Sequence, residues 1–331
     1  MDKVALYPLS FEPIFQYRLW GGRRLGSWLN VALPGDGPIG EAWLLSDRDE
    51  HPSRVAAGPL EGRTVAQLMA HSPESMLGSL AQRFSRFPLL FKFLDVQKML
   101  SVQVHPRDEQ TELIPKGNTG KTEAWVVLET EQKGSIYAGL KPGTTQADLR
   151  ALSDRTADDH LASFAPHRGQ VVLIEAGTVH SIGNGVMVFE IKENSDVTFR
   201  LYDWDHVDPT TGKKRPLQVE KALACVDFNR PPVRPVPPVI EAAAPVSREQ
   251  LIKCSHFDLW RLKGTVPFVV GADAAPRVLV CIDGEGNVEH GGADYPMRKG
   301  SVVLLPASVG ACRYRPTGMV VLLEVGVPDQ S

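Results

Sequence analysis

The sequence predicts a mainly β protein with helical insertions, folded as two related β-barrel domains. Three observations carry this expectation. The 331 residues are punctuated by 29 Gly and 26 Pro, with short apolar runs of strand length between them. Those runs include PLLFKFLD, LSVQVHP, EAWVVLE, GQVVLIEAG, GVMVFEIKE and VTFRLYDW, then FVVG, VLVCIDG, GSVVLLPA and MVVLLEVG late in the chain. Most are rich in Val, Ile, Leu and Phe, as strands packed against a second sheet are. Between the two strand-rich blocks lies the proline-rich stretch RPPVRPVPPVIEAAAP, which reads as a loop or extended linker. A chain of this length exceeds one small core, so the expected units are residues 1–229, a linker at 230–245, and a C-terminal β domain at 246–331.

Three segments carry helical rather than strand signals: about 60–84, 144–164 and 215–228. The first holds two short amphipathic stretches, with Ser72 of SPES placed to cap the second. The next repeats leucines at helical spacing, and RPLQVEKALACVDF opens with Pro216 near its first turn.

Composition narrows the function. A hydrophobic fraction of 43%, a charged fraction of 23% and a net charge of -3 describe an ordinary globular protein. They argue against one built to grip nucleic acid or an anionic membrane. No apolar run reaches the roughly 18 residues needed to span a bilayer, and MDKVALYPLSFEPIFQYRLW lacks a secretory pattern. Cys225, Cys254, Cys281 and Cys312 form no CxxC pair and no dense framework, so reduced, buried thiols in the cytoplasm are expected.

LSVQVHP is the most informative stretch. Side chains alternate along a strand, so Ser101, Gln103 and His105 share one face while Val102 and Val104 face an apolar layer. Ligand-capable groups on that face lie roughly 7 Å apart along the backbone, close enough to converge on one ion. Alone, a Gln-x-His pair is more often a hydrogen-bonded surface face. Two further segments shift the balance. In KTEAWVVLE, Lys121 and Glu123 share a face, and in GQVVLIEAGTVHSIGNG, His180 follows a buried strand and a glycine turn. Two imidazoles, a carboxylate and a carboxamide suit zinc or another divalent first-row ion and leave it strongly Lewis acidic. His160, His167, His206, His256 and His290 lack comparable partners and read as surface or core histidines.

The spacing from Gly169 through Glu175, Gly177 and His180 to Asn184 resembles the second motif of cupins, with Glu175 where that motif has proline. More specifically, YRLWGG (17–22), IGEAW (39–43), FPLLFKFLD (87–95), LSVQVHPRDE (100–109), GKTEAW (120–125), GTVHSIGNG (177–185) and ENSDVTFRLYDW (193–204) together resemble the zinc-dependent phosphomannose isomerases, particularly the shorter bacterial enzymes. The resemblance covers about two-thirds of the chain and fades beyond Asn229. It implies two cupin-like, jelly-roll barrels. GSVVLLPASVGACRY resembles a cupin turn in which Gly310 takes the place of the metal histidine, so the second barrel is expected to be degenerate and metal-free.

The resemblance further implies one zinc ion on Gln103, His105, Glu123 and His180, and interconversion of D-mannose 6-phosphate and D-fructose 6-phosphate through a cis-enediol. Arg200 and Lys121 become the catalytic candidates. Arg200 shares a face of VTFRLYDW with Thr198 and Tyr202, and suits either a structural ion pair or an anion contact. Ser101, Lys92, Glu190, Lys192 and Trp20 are the candidate substrate contacts, with Asp196 placed to orient Arg200. The expected partner is a small sugar phosphate, on a monomer or homodimer, with no nucleic acid or membrane. Another cupin sugar-phosphate isomerase or epimerase, or a non-catalytic sugar-binding cupin, remains the alternative.

Overall fold

The structure is a computed structural model that describes residues 5–329. Its strands begin with β1 (Leu9–Ser10), β2 (Ile14–Gly22), β3 (Ile39–Leu45), β4 (Leu89–Val96), β5 (Val102–Val104) and β6 (Glu123–Thr130). They continue with β7 (Ser135–Leu140), β8 (Leu161–Phe164), β9 (Val171–Ile174), β10 (His180–Gly183), β11 (Val186–Glu193) and β12 (Phe199–Tyr202). All but β1 form two antiparallel sheets, one in the order β2-β3-β4-β11-β6-β9 and one in the order β12-β5-β10-β7-β8.

The C-terminal part adds β13 (Val239–Ala242), β14 (Ser247–Lys253), β15 (Asp258–Gly264), β16 (Phe268–Val270) and β17 (Arg277–Asp283). It closes with β18 (Glu285–His290), β19 (Ala293–Arg298), β20 (Val302–Leu305), β21 (Cys312–Pro316) and β22 (Val320–Gly326). Here a seven-stranded sheet, β1-β20-β17-β22-β15-β14-β13, lies with the four-stranded sheet β16-β21-β18-β19. The first strand of the chain therefore pairs with the second set, Leu9 opposite Leu304. The proline-rich stretch is not loop throughout, since Val239–Ala242 is a strand paired with β14.

Strand alternation sorts the apolar side chains into layers. Leu94, Val96, Trp125, Val127, Val186 and Val188 meet Ile136, Ala138 and Ile182 between the first two sheets. The opposite face of the six-stranded sheet, with Phe91, Phe93, Val126, Phe189 and Ile191, packs on Leu259, Val280, Leu304 and Leu323 of the seven-stranded sheet. Val102, Val104, Phe199 and Leu201 turn outward beneath Leu149, Ala222 and Leu223 of the helical insertions. The central strands of the first two sheets thus have an apolar partner on each face, and the continuous apolar runs of β4 and β11 follow from burial on both sides.

The helical segments are shorter than their patterns suggest. Residues 60–84 fold as Val65–His71, Pro73–Leu77 and a 3-10 turn at Gly78–Gln82. Thr64 and Gln67 make the capping box, whereas Ser72 makes no side-chain cap bond and Pro73 starts the second helix. In 144–164 the helices are Gln146–Arg150 and Ala157–His160, and Leu161–Phe164 is strand β8 instead. The last helix, Val219–Cys225, begins beyond Pro216. Sequence reading missed β2, β14, β15, β18 and β19, because these strands mix charged and apolar residues and bury only one face.

The four cysteines are unpaired; Cys225, Cys281 and Cys312 are buried and Cys254 is half-buried. Among the described residues no helix is long and apolar enough to cross a membrane.

The layer between the first barrel and the seven-stranded sheet is tightly filled. Phe189 is fully buried, with its ring 5.6 Å from Phe93 and 6.1 Å from Phe91. Phe189→Ala is expected to cost about 3–5 kcal/mol through lost burial and a cavity, measured as a lower denaturation midpoint. Val239→Ala, on the exposed edge strand, should change stability by less than about 0.5 kcal/mol.

Candidate active site

The apolar filling between the first two sheets gives way at one end to charge. Strand β5 runs between β12 and β10, and its register sets Gln103 beside both Arg200 and His180. Val102 and Val104 point outward, so Gln103 points inward, as alternation requires. His105 follows directly, and its carbonyl accepts from Gly177 N at 2.9 Å. Gly177 has a φ of 87°, and a Cβ there would come within 2.8 Å of Arg107 Nη1; only glycine makes this turn without strain. The turn delivers His180 to the barrel interior. From the opposite sheet β6 contributes Glu123, in register with Lys192 on β11.

One donor atom each from His105, Glu123 and His180 lies within 4.8 Å of the other two, all fully buried. His105 Nε2 is 3.5 Å from Glu123 Oε2, and His180 Nε2 is 3.4 Å from Glu123 Oε1. His180 Nδ1 donates to the Thr178 carbonyl at 2.8 Å, which leaves Nε2 with its lone pair facing the cluster. Trp125 packs edge-on against that ring at 5.6 Å. Burial, reinforced by Lys121, pushes both imidazoles towards the neutral form, His105 most strongly. Neither oxygen of Glu123 accepts a hydrogen bond. Buried, neutral imidazoles converging on one buried carboxylate fit a divalent cation. Gln103 stands at the rim, with Nε2 3.2 Å from His180 Nε2 and Oε1 accepting from Ser101 Oγ at 3.2 Å. Ligation through Oε1 needs a half-turn of the carboxamide, whose two ends are nearly isosteric.

A cavity of about 450 Å³ opens beside this group, lined by Trp20, Lys92, Ser101, Gln103, Lys121, Glu190, Lys192 and Arg200 among others. The structure thus brings every sequence-derived site residue to one place. Trp20 is also part of the apolar layer between the sheets. Lys121 Nζ lies 3.0 Å from both His105 Nε2 and Glu123 Oε2.

An ionic lattice fills the inner face of β3, β4 and β11. Lys92 Nζ reaches Glu41 Oε2 at 3.2 Å and Asp196 Oδ1 at 3.1 Å, above the Trp43 ring at 4.0 Å. Lys192 Nζ meets the same Asp196 oxygen at 3.0 Å and Glu190 Oε2 at 3.4 Å, while Glu190 Oε1 accepts from Trp125 Nε1 at 3.1 Å. Arg18 grips both oxygens of Glu41 at 3.1 and 3.0 Å. Burial works to raise the Glu41 carboxyl, but Lys92 and Arg18 outweigh it and hold the group well below its ordinary range. The same contest at Asp196 is won by Lys92 and Lys192. Asp196 therefore holds the two lysines and makes no ion pair with Arg200.

Arg200 is different. Among the described residues no carboxylate forms an ion pair with it, and its Nε, sealed from solvent, has no hydrogen-bond partner. Arg215 nearby is bound at two points by Asp203. The structural ion pair considered for Arg200 is thus absent from the described residues. Tyr202 does not share the inner face. The register slips between Arg200 and Tyr202, and the Tyr202 ring joins Phe199 and Leu201 in the outer layer. Sequence reading missed Arg18, Glu41 and Arg215 as cavity residues; the alternation of Arg18 with Trp20 in YRLWGG was the available signal.

Comparison with known proteins agrees with this architecture. The family description "Phosphomannose isomerase type I, catalytic domain" matches residues 9–130, and "Mannose-6-phosphate isomerase, cupin domain" matches residues 254–322. Mannose-6-phosphate isomerase ManA of Bacillus subtilis (strain 168) is 34% identical over 92% of this chain and 94% of its own. The chain belongs to the mannose-6-phosphate isomerase family. A second family member, from Streptococcus mutans, is 30% identical over 93% of this chain and 95% of its own. The crystal structure of the Bacillus subtilis mannose 6-phosphate isomerase superposes with a TM-score of 0.88 at 25% identity, covering 97% of this chain and all of that one. The isomerase family's cupin fold is therefore that of this chain.

The lattice makes a pH-dependent contribution to stability. Glu41 titrates lower in the folded than in the unfolded chain, so as pH falls the unfolded state takes up protons first. The stabilisation is complete above the ordinary value near 4.5 and is lost below it. Glu41→Gln is expected to cost about 3–5 kcal/mol by leaving Arg18 without its carboxylate and Lys92 with Asp196 alone. In thermal scans at a series of pH values, the variant should also lose less stability than the parent on acidification.

Proposed function

We propose that this chain interconverts D-mannose 6-phosphate and D-fructose 6-phosphate, using a zinc ion held by Gln103, His105, Glu123 and His180. One observation carries the reading: a buried, convergent His/Glu/His group stands beside a cavity lined by Gln103, Lys121 and a partly buried guanidinium, Arg200, that has no carboxylate partner among the described residues. An aldose phosphate matches both features, with neighbouring oxygens at C1 and C2 and a distant dianion. The family to which the chain belongs supports the choice of sugar.

The donor set carries one formal negative charge, and its nitrogen and oxygen atoms suit zinc. Bound there, zinc supplies Lewis acidity towards the substrate's C1 and C2 oxygens. The remaining work falls to side chains. Lys121, whose amine stands beside Glu123 and His105 at the cavity wall, carries the proton between C1 and C2 as the enediol forms and collapses. Arg200 meets the negative charge of the substrate, because the other cavity cations are already engaged: Lys92 and Lys192 by Asp196, Arg18 by Glu41, and Arg215 by Asp203. Ser101 orients Gln103 through its hydroxyl. Glu190, Lys92, Lys192 and Trp20 fix the shape of the sugar pocket and exclude water from the enediol.

A coupled assay for fructose 6-phosphate formed from mannose 6-phosphate tests this directly. Turnover should vanish on chelation and return with zinc; metal-loaded protein without chelator-sensitive turnover rejects the assignment. Arg200→Ala should keep its metal and lose roughly 10²–10³ in turnover, as expected for removing one charge-stabilising donor. His180→Ala should lose both metal and activity, read by metal analysis alongside the assay.

A further inference from the structure

A second His/carboxylate cluster lies outside the barrel pocket, where the two halves of the chain meet. Asp108 belongs to the loop after β5, Glu193 ends β11, and His256 sits in the turn between β14 and β15. One donor atom from each lies within 4.8 Å of the other two, and His256 Nδ1 is 3.5 Å from Glu193 Oε1. His256 is therefore not the solitary histidine that its sequence surroundings suggest.

Both carboxylates are fixed by backbone donors from one short segment. Asp108 Oδ1 accepts from Gly120 N at 2.7 Å, and Glu193 Oε2 accepts from Thr122 N at 2.6 Å. Each acid uses one oxygen on this segment, and beyond it the two carboxyl groups face each other and His256. Glu193 is 7% exposed, yet among the described residues no Lys or Arg forms an ion pair with it or with Asp108. Burial and the facing Asp108 push the Glu193 carboxyl up to about 8; a buried acid so destabilised in its charged form is relieved by a proton or by a metal ion. The cluster opens on a cavity of about 500 Å³ that Asn194 also lines. Asn194 Oδ1, sealed from solvent, accepts no hydrogen bond.

We propose that Asp108, Glu193 and His256 form a second divalent-cation site, separate from the cluster inside the barrel. Two carboxylates and one imidazole give a mixed oxygen–nitrogen donor set of charge -2, suited to Zn²⁺ or Mn²⁺. The ion pins the backbone at Gly120 and Thr122, the residues on either side of Lys121, and ties that segment to the C-terminal part through His256. It acts on position rather than on substrate.

Equilibrium dialysis of the full chain against Zn²⁺ or Mn²⁺, followed by elemental analysis, reads the site directly. Wild-type protein should bind two ions per chain. His256→Gln and Asp108→Asn, both at accessible positions, should bind one while keeping the parent circular dichroism spectrum. His180→Ala should also bind one, but the other one, so that combining it with His256→Gln leaves none. A wild-type stoichiometry of one, or two ions retained by both His256→Gln and Asp108→Asn, overturns the proposal. Loss of the ion from His180→Ala is read separately, so the two sites can fail independently.

Discussion

Charge can enter the first barrel only if it is neutralised there, and the Lys92–Glu41–Asp196–Lys192–Glu190 lattice meets that requirement. Lys92, Lys192, Glu41 and Glu190 are buried, and each alone would cost several kcal/mol or change its protonation. Linked, they hold one another in fixed positions. Such a lattice adds little net stability over apolar packing; its effect is to keep a polar wall rigid inside a β barrel. The cavity inherits its shape from that wall.

Because the lattice is nearly self-sufficient, the groups left outside it stand apart. Among the described residues Arg200 has no carboxylate partner, and three nitrogens crowd round the Glu123 carboxylate. Both sit beside residues that alternation and register place within reach of one another: Gln103 is flanked by Arg200 on one side and His180 on the other. Three adjacent strands thus bring together residues nearly 100 positions apart, and β6 of the opposite sheet adds Glu123.

The layers outside the barrel explain why this wall is stiff. The six-stranded sheet is covered on its outer face by the seven-stranded sheet, with phenylalanines of β4 and β11 interlocked between them. The five-stranded sheet is covered by the helical insertions. Strand β1 crosses to the second set of sheets before the first barrel begins, so the two halves share backbone pairing as well as side-chain packing. Glu193 and His256 meet along the same junction.

Local sequence determined many of the strands, those with continuous apolar runs, and within them which way most side chains face. The two-residue period of LSVQVHP, GVMVFEIKE and the first part of VTFRLYDW settled the inward set of Gln103, Glu190, Lys192 and Arg200, since pleating is a local property of the backbone. His180 was legible from its glycine turn, while Glu123 became legible through family resemblance and order. What only the tertiary structure decided were the partners. Whether Arg200 was paired, whether Asp196 served Arg200 or the lysines, and whether His256 was solitary all depended on residues far away in the chain. Tyr202 shows the limit within one strand: a slip in register against β5 turned it outward against its period. Pairing and register are set by long-range packing, and a single sequence carries their effects without stating the distances that produce them.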